Sequence, residues 1–259
     1  VRKLSYVSGP SSVPLLGETI GDNLLRTAER CADTEALVVR SQGYRATYRA
    51  LVAETAVLAR ALMALGIQRG ERVGIWSPNR FEWVVTQLAT ARMGAVLVNI
   101  NPAYKTAELK YVLLQSGIRT LLLARSFRQT DYVKMLEHVR DECPHLRDVF
   151  VLDTDWDLLL ANASRVSPEA LRERESSLQF DDPINIQYTS GTTGFPKGAT
   201  LSHHNLLNNG FFIGEGQRFT ERDRVCIPVP FYHCFGMVLG NLACTTHGAT
   251  MVIPGEAFD

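Results

Sequence analysis

Apolar residues recur along the chain in two alternating patterns. Spacings of three and four residues predict helices, and short runs of valine, isoleucine and leucine predict strands. The helical spacing covers residues 18–31, 48–65, 80–92, 106–117, 128–140, 204–216 and 235–246. The strand pattern covers residues 35–40, 72–76, 95–99, 119–123, 148–152, 184–188, 224–228 and 249–253. This alternation indicates βα units, and therefore an α/β protein whose sheets are mainly parallel.

Two stretches depart from the alternation. Residues 41–43 read Ser-Gln-Gly between two β-rich runs, which predicts a tight hairpin turn and so an antiparallel strand at a sheet edge. Residues 153–182 lose the periodic pattern and gain charge. They are expected to form a surface connection with one short helix at residues 168–174.

Composition limits the classes of partner. The chain has 259 residues, of which 46% are hydrophobic, enough to bury a substantial core. Its 27 basic and 27 acidic residues leave no net charge, so nucleic acid is not an expected partner. No run approaches the roughly 18 apolar residues of a membrane span.

The cysteines are odd in number and form no C-x-x-C pair, so neither a zinc site nor a disulfide framework is predicted. They are Cys31, Cys143, Cys226, Cys234 and Cys244. The last three are expected to be buried hydrophobic residues, because no base that could activate a thiol is evident beside them. The three tryptophans are expected to serve packing, since no basic stripe accompanies them; they are Trp76, Trp83 and Trp156.

The segment with the clearest chemistry is residues 188–198, which read YTSGTTGFPKG. Four serine or threonine hydroxyls, three glycines and one lysine can present donors, close backbone N–H groups and a cation to a polyphosphate. The spacing is not that of a Walker A loop, because Gly198 follows Lys197 where a serine or threonine is required. A flexible linker would have similar composition. The predicted position between a strand and a helix favours a ligand-binding loop.

This loop resembles the signature of the adenylate-forming enzymes, which include acyl-CoA synthetases, firefly luciferase and peptide-synthetase adenylation domains. The resemblance continues through the runs Asn79-Arg80-Phe81-Glu82, Gly94-Ala95, Asn99-Ile100-Asn101-Pro102, Glu108-Leu109, Asp181-Asp182, Leu201-Ser202-His203 and Pro230-Phe231-Tyr232-His233. It therefore covers most of the chain. The sequence is most similar to fatty acyl-CoA synthetases, and among them to the mitochondrial medium-chain enzymes.

The resemblance implies a layered α-β-α-β-α N-terminal domain. Residues of about 70–215 would form one lobe, and about 15–65 with 220–259 would begin a second lobe whose sheet is incomplete. The family's glutamate for Mg²⁺, aspartate for ribose and mobile C-terminal lobe have no matching runs in this sequence. We therefore expect the Mg²⁺ ligand outside this chain, an association with the missing C-terminal part, and no activity of the 259-residue chain alone.

The implied reaction uses ATP, a fatty carboxylic acid and coenzyme A. ATP converts the acid to an acyl-adenylate, and coenzyme A then takes the acyl group. A location in the mitochondrial matrix rests on the resemblance alone, because the sequence shows no transit peptide.

The resemblance also implies site residues. Those for the ATP phosphates are Thr189, Ser190, Gly191, Thr192, Thr193, Gly194 and Lys197. Lys197 and His233 are the candidate catalytic residues, and the acyl group is expected near His233, Phe235, Gly236, Met237 and Gly240. No metal ligand is predicted.

Several of these interpretations have alternatives. Lys197 could be a solvated loop lysine, and His233 a satisfied core histidine. The small residues after it could line an acyl tunnel or simply allow close helix packing. At the level of function, the alternatives are activation of an aromatic or amino acid, and a truncated, non-catalytic interaction module.

Overall fold

The computed structural model describes residues 12–189 and 196–257. Their strands form one six-stranded sheet, one four-stranded sheet and one two-stranded ribbon. In chain order the strands are β1 (Glu35–Val39), β2 (Tyr44–Thr47), β3 (Arg72–Trp76), β4 (Val96–Asn99), β5 (Thr120–Leu123), β6 (Ser126–Phe127), β7 (Thr130–Asp131), β8 (Asp148–Val151), β9 (Pro183–Thr189), β10 (Lys197–Ser202), β11 (Arg224–Cys226) and β12 (Thr250–Ile253).

Helices cover these sheets. They are α1 (Ile20–Cys31), α2 (Tyr48–Ala64), α3 (Phe81–Met93), α4 (Thr106–Ser116), α5 (Tyr132–Glu137), α6 (Leu152–Ala161), α7 (Pro168–Ser176), α8 (His203–Gln217), α9 (Cys234–Gly236) and α10 (Ala243–His247). A π-helix, Met237–Leu242, joins the last two. None of the helices in the described ranges has the length and apolar character that a bilayer span requires.

Both larger sheets are parallel except at one edge, which confirms the predicted α/β class with mainly parallel sheets. The six-stranded sheet has the order β10-β9-β4-β3-β5-β8, and only β10 runs antiparallel to its neighbour. The four-stranded sheet has the order β11-β12-β1-β2, and only the β1–β2 pair is antiparallel. The hairpin turn predicted from residues 41–43 is present, and Gly43 there has φ 62°, a conformation that favours glycine.

Two clusters of buried side chains stabilise this arrangement. The larger packs α1, α2, α3 and α8 against the sheets, and includes Trp83. The smaller covers the opposite face of the six-stranded sheet, where Trp76 stacks on Tyr132 with ring centroids 3.8 Å apart. Trp76 and Trp83 are fully buried and Trp156 meets Phe81 edge-on, so the predicted packing role of the tryptophans is confirmed.

Several predicted elements need correction. Residues 197–202 form an edge strand, so the glycine-rich segment precedes a strand and not a helix. Residues 152–161 form a helix, because Leu152 and Leu159 are buried on one face although acidic residues interrupt the pattern. The helix predicted at residues 128–140 covers only Tyr132–Glu137, and the ribbon β6–β7 precedes it. Cys226 is exposed on the edge strand β11, whereas Cys244 is buried as predicted.

Candidate active-site cleft

A cleft of about 590 Å³ lies where the six-stranded sheet ends at the carboxyl termini of β4 and β9. Loops in this position meet ligands in open α/β sheets, because the connections to the helices diverge there. The cleft is lined by the ends of β9 and β10, by the start of α4 and by residues 232–234. Thr189 and Pro196, from the predicted phosphate segment, therefore line the same cleft as the predicted His233.

Strands β9 and β10 bring Thr189 and Lys197 together. The two residues are partners in the antiparallel register, and both are exposed. Lys197 has no ion-pair partner among the described residues. Ser190, Gly191, Thr192, Thr193 and Gly194 lie outside the described residues.

The buried side chain of Asn79 fixes the segment that enters the cleft from the other side. Its amide nitrogen donates to the Val229 carbonyl at 2.9 Å, and its amide oxygen accepts from the Phe231 N–H at 2.8 Å. Asn79 is 2% exposed, so these bonds satisfy polar groups that water does not reach. This clamp sets the path of the chain just before His233.

His233 is the exposed N-cap of α9. Its ring Nδ1 accepts from the Phe235 N–H at 3.1 Å, and Nε2 has no hydrogen-bond partner among the described residues. His233 also lines the cleft. Phe235 is 56% exposed. Gly236 is required at the next position, because a Cβ there would lie 2.5 Å from the Pro230 carbonyl oxygen.

Buried amides hold the π-helix that follows. Asn99 Nδ2 and Gln187 Nε2 both donate to the Met237 sulfur, at 2.9 and 3.0 Å. Gln87 Nε2 donates to the Met237 carbonyl at 3.0 Å, and Asn185 Nδ2 donates to Asn99 Oδ1 at 3.0 Å. π-Helical turns are rare and occur often at functional sites, and here the amides stabilise one beside the cleft.

Sequence reasoning gave no role to these amides. Asn99 appeared only within a family motif, and Gln87, Asn185 and Gln187 were not singled out. Two of them could have been found from the sequence, because asparagine is depleted in strands. Asn99 and Asn185 nevertheless lie within β4 and β9, at buried positions. Buried amides of this kind must have hydrogen-bond partners.

The small residues after His233 are closely packed. A Cβ at Gly240 would lie 2.8 Å from Ile227 Cγ2, and one at Gly210 on α8 would lie 2.7 Å from Leu242 Cβ. Met237 is 1% exposed. The space immediately beside Gly236 and Gly240 is therefore filled by protein atoms.

One carboxylate is among the described residues that line the cleft, and burial opposes the ionisation of two tyrosines and one cysteine around it. Burial raises the pKa of Tyr188 to about 12, and burial also raises the pKa of Tyr104 and Cys234. Glu108 is the carboxylate, and it accepts from the Lys105 N–H at 2.7 Å, at the N-terminus of α4. The helix N-terminus stabilises that negative charge. Cys234 is therefore a protonated thiol with no sign of activation as a nucleophile.

A second cavity of about 240 Å³ adjoins the cleft and shares Asn101 and Tyr232 with it. Ser77 and Pro102 line it, and Arg128 lies at its rim with φ 53°. Tyr232 thus separates two spaces that open at the same sheet edge, one next to Lys197 and one next to Arg128.

Residues 24–259 match the sequence profile of a family described as AMP-binding enzyme. The chain belongs to that family. It is 39% identical over 277 residues to the medium-chain acyl-CoA ligase ACSF2, mitochondrial, of Danio rerio, with 98% of this chain and 46% of that protein covered. The chain thus spans about half the length of the curated relatives it matches.

Solved structures agree with this membership. The long-chain-fatty-acid-CoA ligase FadD1 from Archaeoglobus fulgidus has a TM-score of 0.82 and 25% identity, over 99% of this chain and 50% of that chain. The ATP-bound MatB from Rhodopseudomonas palustris has a TM-score of 0.74 and 26% identity, over 93% and 46% of the two chains. The predicted membership of the adenylate-forming enzymes is confirmed.

Proposed function

We propose that the protein converts a medium-chain fatty acid to its coenzyme A thioester in two steps. A carboxylate oxygen of the acid attacks the α-phosphorus of ATP, the bond to the β-phosphate oxygen breaks, and pyrophosphate leaves. The sulfur of coenzyme A then attacks the acyl carbon, AMP leaves, and the thiol proton is released. Negative charge moves onto phosphate oxygens in the first step, so fixed donors and cations there lower the barrier.

The observation that carries this proposal is the position of Lys197. Lys197 is the first residue of β10 and lies opposite Thr189. It is exposed, and its ammonium group has no acidic partner among the described residues. An unneutralised cation beside a hydroxyl is suited to polyphosphate. Ser190, Gly191, Thr192, Thr193 and Gly194 connect these two positions along the chain and are proposed to provide further hydroxyl and backbone donors.

The acyl group is assigned to the cleft next to His233. In this proposal, His233 Nε2 carries a proton and donates to the substrate carboxylate, because Nδ1 accepts from Phe235 N–H. Phe235 contacts the acyl chain, while Gly236, Met237 and Gly240 shape the helix beneath it. The chain from Phe235 to Ala243 has no charged residue, which favours an uncharged acyl chain over an amino acid, and the relative from Danio rerio is named a medium-chain ligase.

Three further parts of the proposal concern the whole protein. Mg²⁺ would accompany ATP with its protein ligand outside this chain, and the residues described contain no group of three His, Cys, Asp or Glu that could hold a metal. Residues of about 70–215, and about 15–65 with 220–259, would form two lobes, each around one of the larger sheets. The location would be the mitochondrial matrix, as in the name of the relative.

The test is exchange of labelled pyrophosphate into ATP by the full-length protein, with medium-chain, long-chain, aromatic and amino acids as substrates. Lys197→Ala should lower fatty-acid-dependent exchange by roughly 100-fold, the loss typical of removing one transition-state contact. Lys134→Ala is the matched control, because Lys134 is an exposed lysine on α5, away from the cleft. It should leave exchange unchanged.

Each other outcome identifies an alternative. Exchange with aromatic or amino acids alone would assign the protein to a different branch of the family. No exchange with any acid, by a folded protein, would contradict the proposal and support a non-catalytic interaction module.

A further inference from the structure

Three arginines stand side by side at the amino edge of the six-stranded sheet, the edge opposite the cleft. Arg72 begins β3, Arg119 precedes β5 and Arg147 precedes β8. The Arg119 N–H donates to the Arg72 carbonyl at 3.0 Å, and the Arg147 N–H donates to the Arg119 carbonyl at 2.8 Å. Because β3, β5 and β8 are parallel and in register there, the three side chains leave the sheet on the same face.

Two of these guanidinium groups are held in place by helix ends. Arg119 donates to the carbonyls of Leu65 and Gly66, both at 2.8 Å. Arg72 donates to the Ser116 carbonyl at 2.7 Å, and its guanidinium lies against Gly117, where a Cβ would approach Nη2 to 2.6 Å. Both groups are therefore fixed before any ligand arrives.

The site also contains donors that the protein leaves unused. Arg119 Nε is buried and has no hydrogen-bond partner within residues 12–189 and 196–257, which is costly unless a ligand or water satisfies it. Arg147 and His145 are exposed, and their side chains make no hydrogen bond or ion pair with the described residues. Together with Glu71, these residues surround a pocket of about 110 Å³, which is the scale of one small anion with a few waters.

The charge of the pocket indicates which anion fits. Three arginines and one carboxylate, Glu71 at 2.7 Å from Arg119, line it, and these four side chains together carry two positive charges. Asp148 belongs to the other face, where it accepts from the Thr120 hydroxyl at 3.2 Å. A phosphate group carries about two negative charges at neutral pH, and guanidinium forks match its oxygens in pairs.

We propose that Arg72, Arg119, Arg147 and His145 form a second anion-binding site that takes a phosphate group. The site lies at the opposite sheet edge from Lys197, so it does not depend on the proposed ligase activity. The fixed guanidiniums of Arg72 and Arg119 form its base. Arg147 and His145 close over the bound anion from the solvent side.

The test is calorimetric titration of the Lys197→Ala variant, which removes the cation of the cleft, with inorganic phosphate and with glycerol phosphate at constant ionic strength. The two ligands separate a preference for free phosphate from one for a phosphate monoester. Arg147→Gln, added to that background, should weaken binding about tenfold, as expected for loss of a charge-assisted hydrogen bond. It should fold normally, because the Arg147 side chain has no partner among the described residues.

Arg222→Gln is the matched control, since Arg222 is also an exposed arginine and lies before β11, in the other large sheet. It should bind phosphate like the parent. Equal phosphate affinity in the Arg147 and Arg222 variants would overturn the proposal. The absence of any binding by the Lys197→Ala protein at millimolar phosphate would also overturn it. Arg147→Glu provides a second check, because reversing the charge should abolish binding.

Discussion

The two edges of the six-stranded sheet carry different chemistry, although the same strands run through both. At the carboxyl edge, neutral amides hold the backbone of a neighbouring segment. Two exposed residues lie there, His233 in the lining of the cleft and Lys197 opposite Thr189. At the amino edge, arginines dominate, and Arg72 and Arg119 each donate to carbonyl oxygens at helix ends.

The polarity of the helices accounts for this difference. Helices that follow parallel strands begin near the carboxyl edge and end near the amino edge, where their last carbonyl groups lack partners. Arg119 and Arg72 satisfy such carbonyls after α2 and at the end of α4. The amino edge therefore uses part of its charge for stability, through Arg72 and Arg119. At the carboxyl edge, the side chain of Lys197 and Nε2 of His233 have no partner in the part of the chain that the structure describes.

This contrast predicts that the largest loss of stability comes from the amino edge. Arg92, in the last turn of α3, is 5% exposed and pairs with Glu175 of α7 at 2.6 Å. Glu175→Ala would leave the buried guanidinium without its counter-charge and should lower the free energy of unfolding by about 3–5 kcal/mol. Denaturant unfolding of the two proteins measures the difference.

The same helix provides the control. Glu169 pairs with Arg172 of α7 on the surface, with both side chains more than half exposed. Glu169→Ala should leave the unfolding free energy nearly unchanged, because exposed pairs contribute little. Equal losses for the two variants would show that burial of the pair at the amino edge does not determine stability.

A smaller effect, dependent on pH, is expected at the start of α8. His203 is fully buried and its Nδ1 accepts from the Ile20 N–H at 3.1 Å. Burial is the main cause that lowers the pKa of His203 to about 4, and the charge of Arg69 lowers it further. The charges of Asp182 and Asp22 act in the opposite direction and raise it. The native state thus strongly favours the neutral ring.

The sign of the effect follows from proton uptake. Above pH 6.5 the ring is neutral in both states, and the stability is complete. As the pH falls from 6.5 towards 4, the unfolded chain binds a proton that the native state refuses, and stability falls by about 3 kcal/mol. His203→Asn keeps an acceptor for the Ile20 N–H, and the new side chain does not titrate. The unfolding free energy of this variant should therefore depend much less on pH between 6.5 and 4.

The control is His145→Asn, which removes an exposed histidine and should leave the parent's pH dependence in place. If the His203 variant retained the full loss of stability between pH 6.5 and 4, the burial of His203 would not be its origin.

The sequence predicted the parts of the fold that carry a periodic apolar pattern. Strands β3, β4 and β5 are buried along most or all of their length, and their runs of valine, isoleucine and leucine predict them. β10 was missed because its residues are exposed along most of its length, so no apolar alternation marks it. α6 was missed because three aspartates lie between its buried leucines.

The candidate site also has a part that the sequence predicts and a part that only the fold shows. Lys197, Thr189 and His233 were predicted because hydroxyl, glycine and histidine motifs are local in sequence. The amide contacts to Met237 and the pairing of the three arginines join residues 28 to 150 positions apart, in separate strands and helices, and no local pattern connects them. Only the register of the sheet shows that Arg72, Arg119 and Arg147 are neighbours.

The smallest effect on stability is expected at the carboxyl edge, where His233 has two separable roles. Its Nδ1 caps α9 by accepting from the Phe235 N–H, and its ring faces the cleft. His233→Ala removes both, and should cost about 1 kcal/mol of unfolding free energy, the usual value of an N-cap. His233→Asn restores a cap acceptor, because asparagine is among the preferred N-cap residues, but removes the imidazole.

Stability and exchange activity should therefore separate in this pair. If the imidazole orients the substrate carboxylate, both variants should lose at least about tenfold in fatty-acid-dependent pyrophosphate exchange, since positioned proton donors contribute 100-fold or more. Only the alanine variant should also lose stability. If His233→Asn instead recovers exchange along with stability, His233 acts through the cap alone. The carboxyl edge would then use this side chain for structure, as the amino edge uses Arg72 and Arg119.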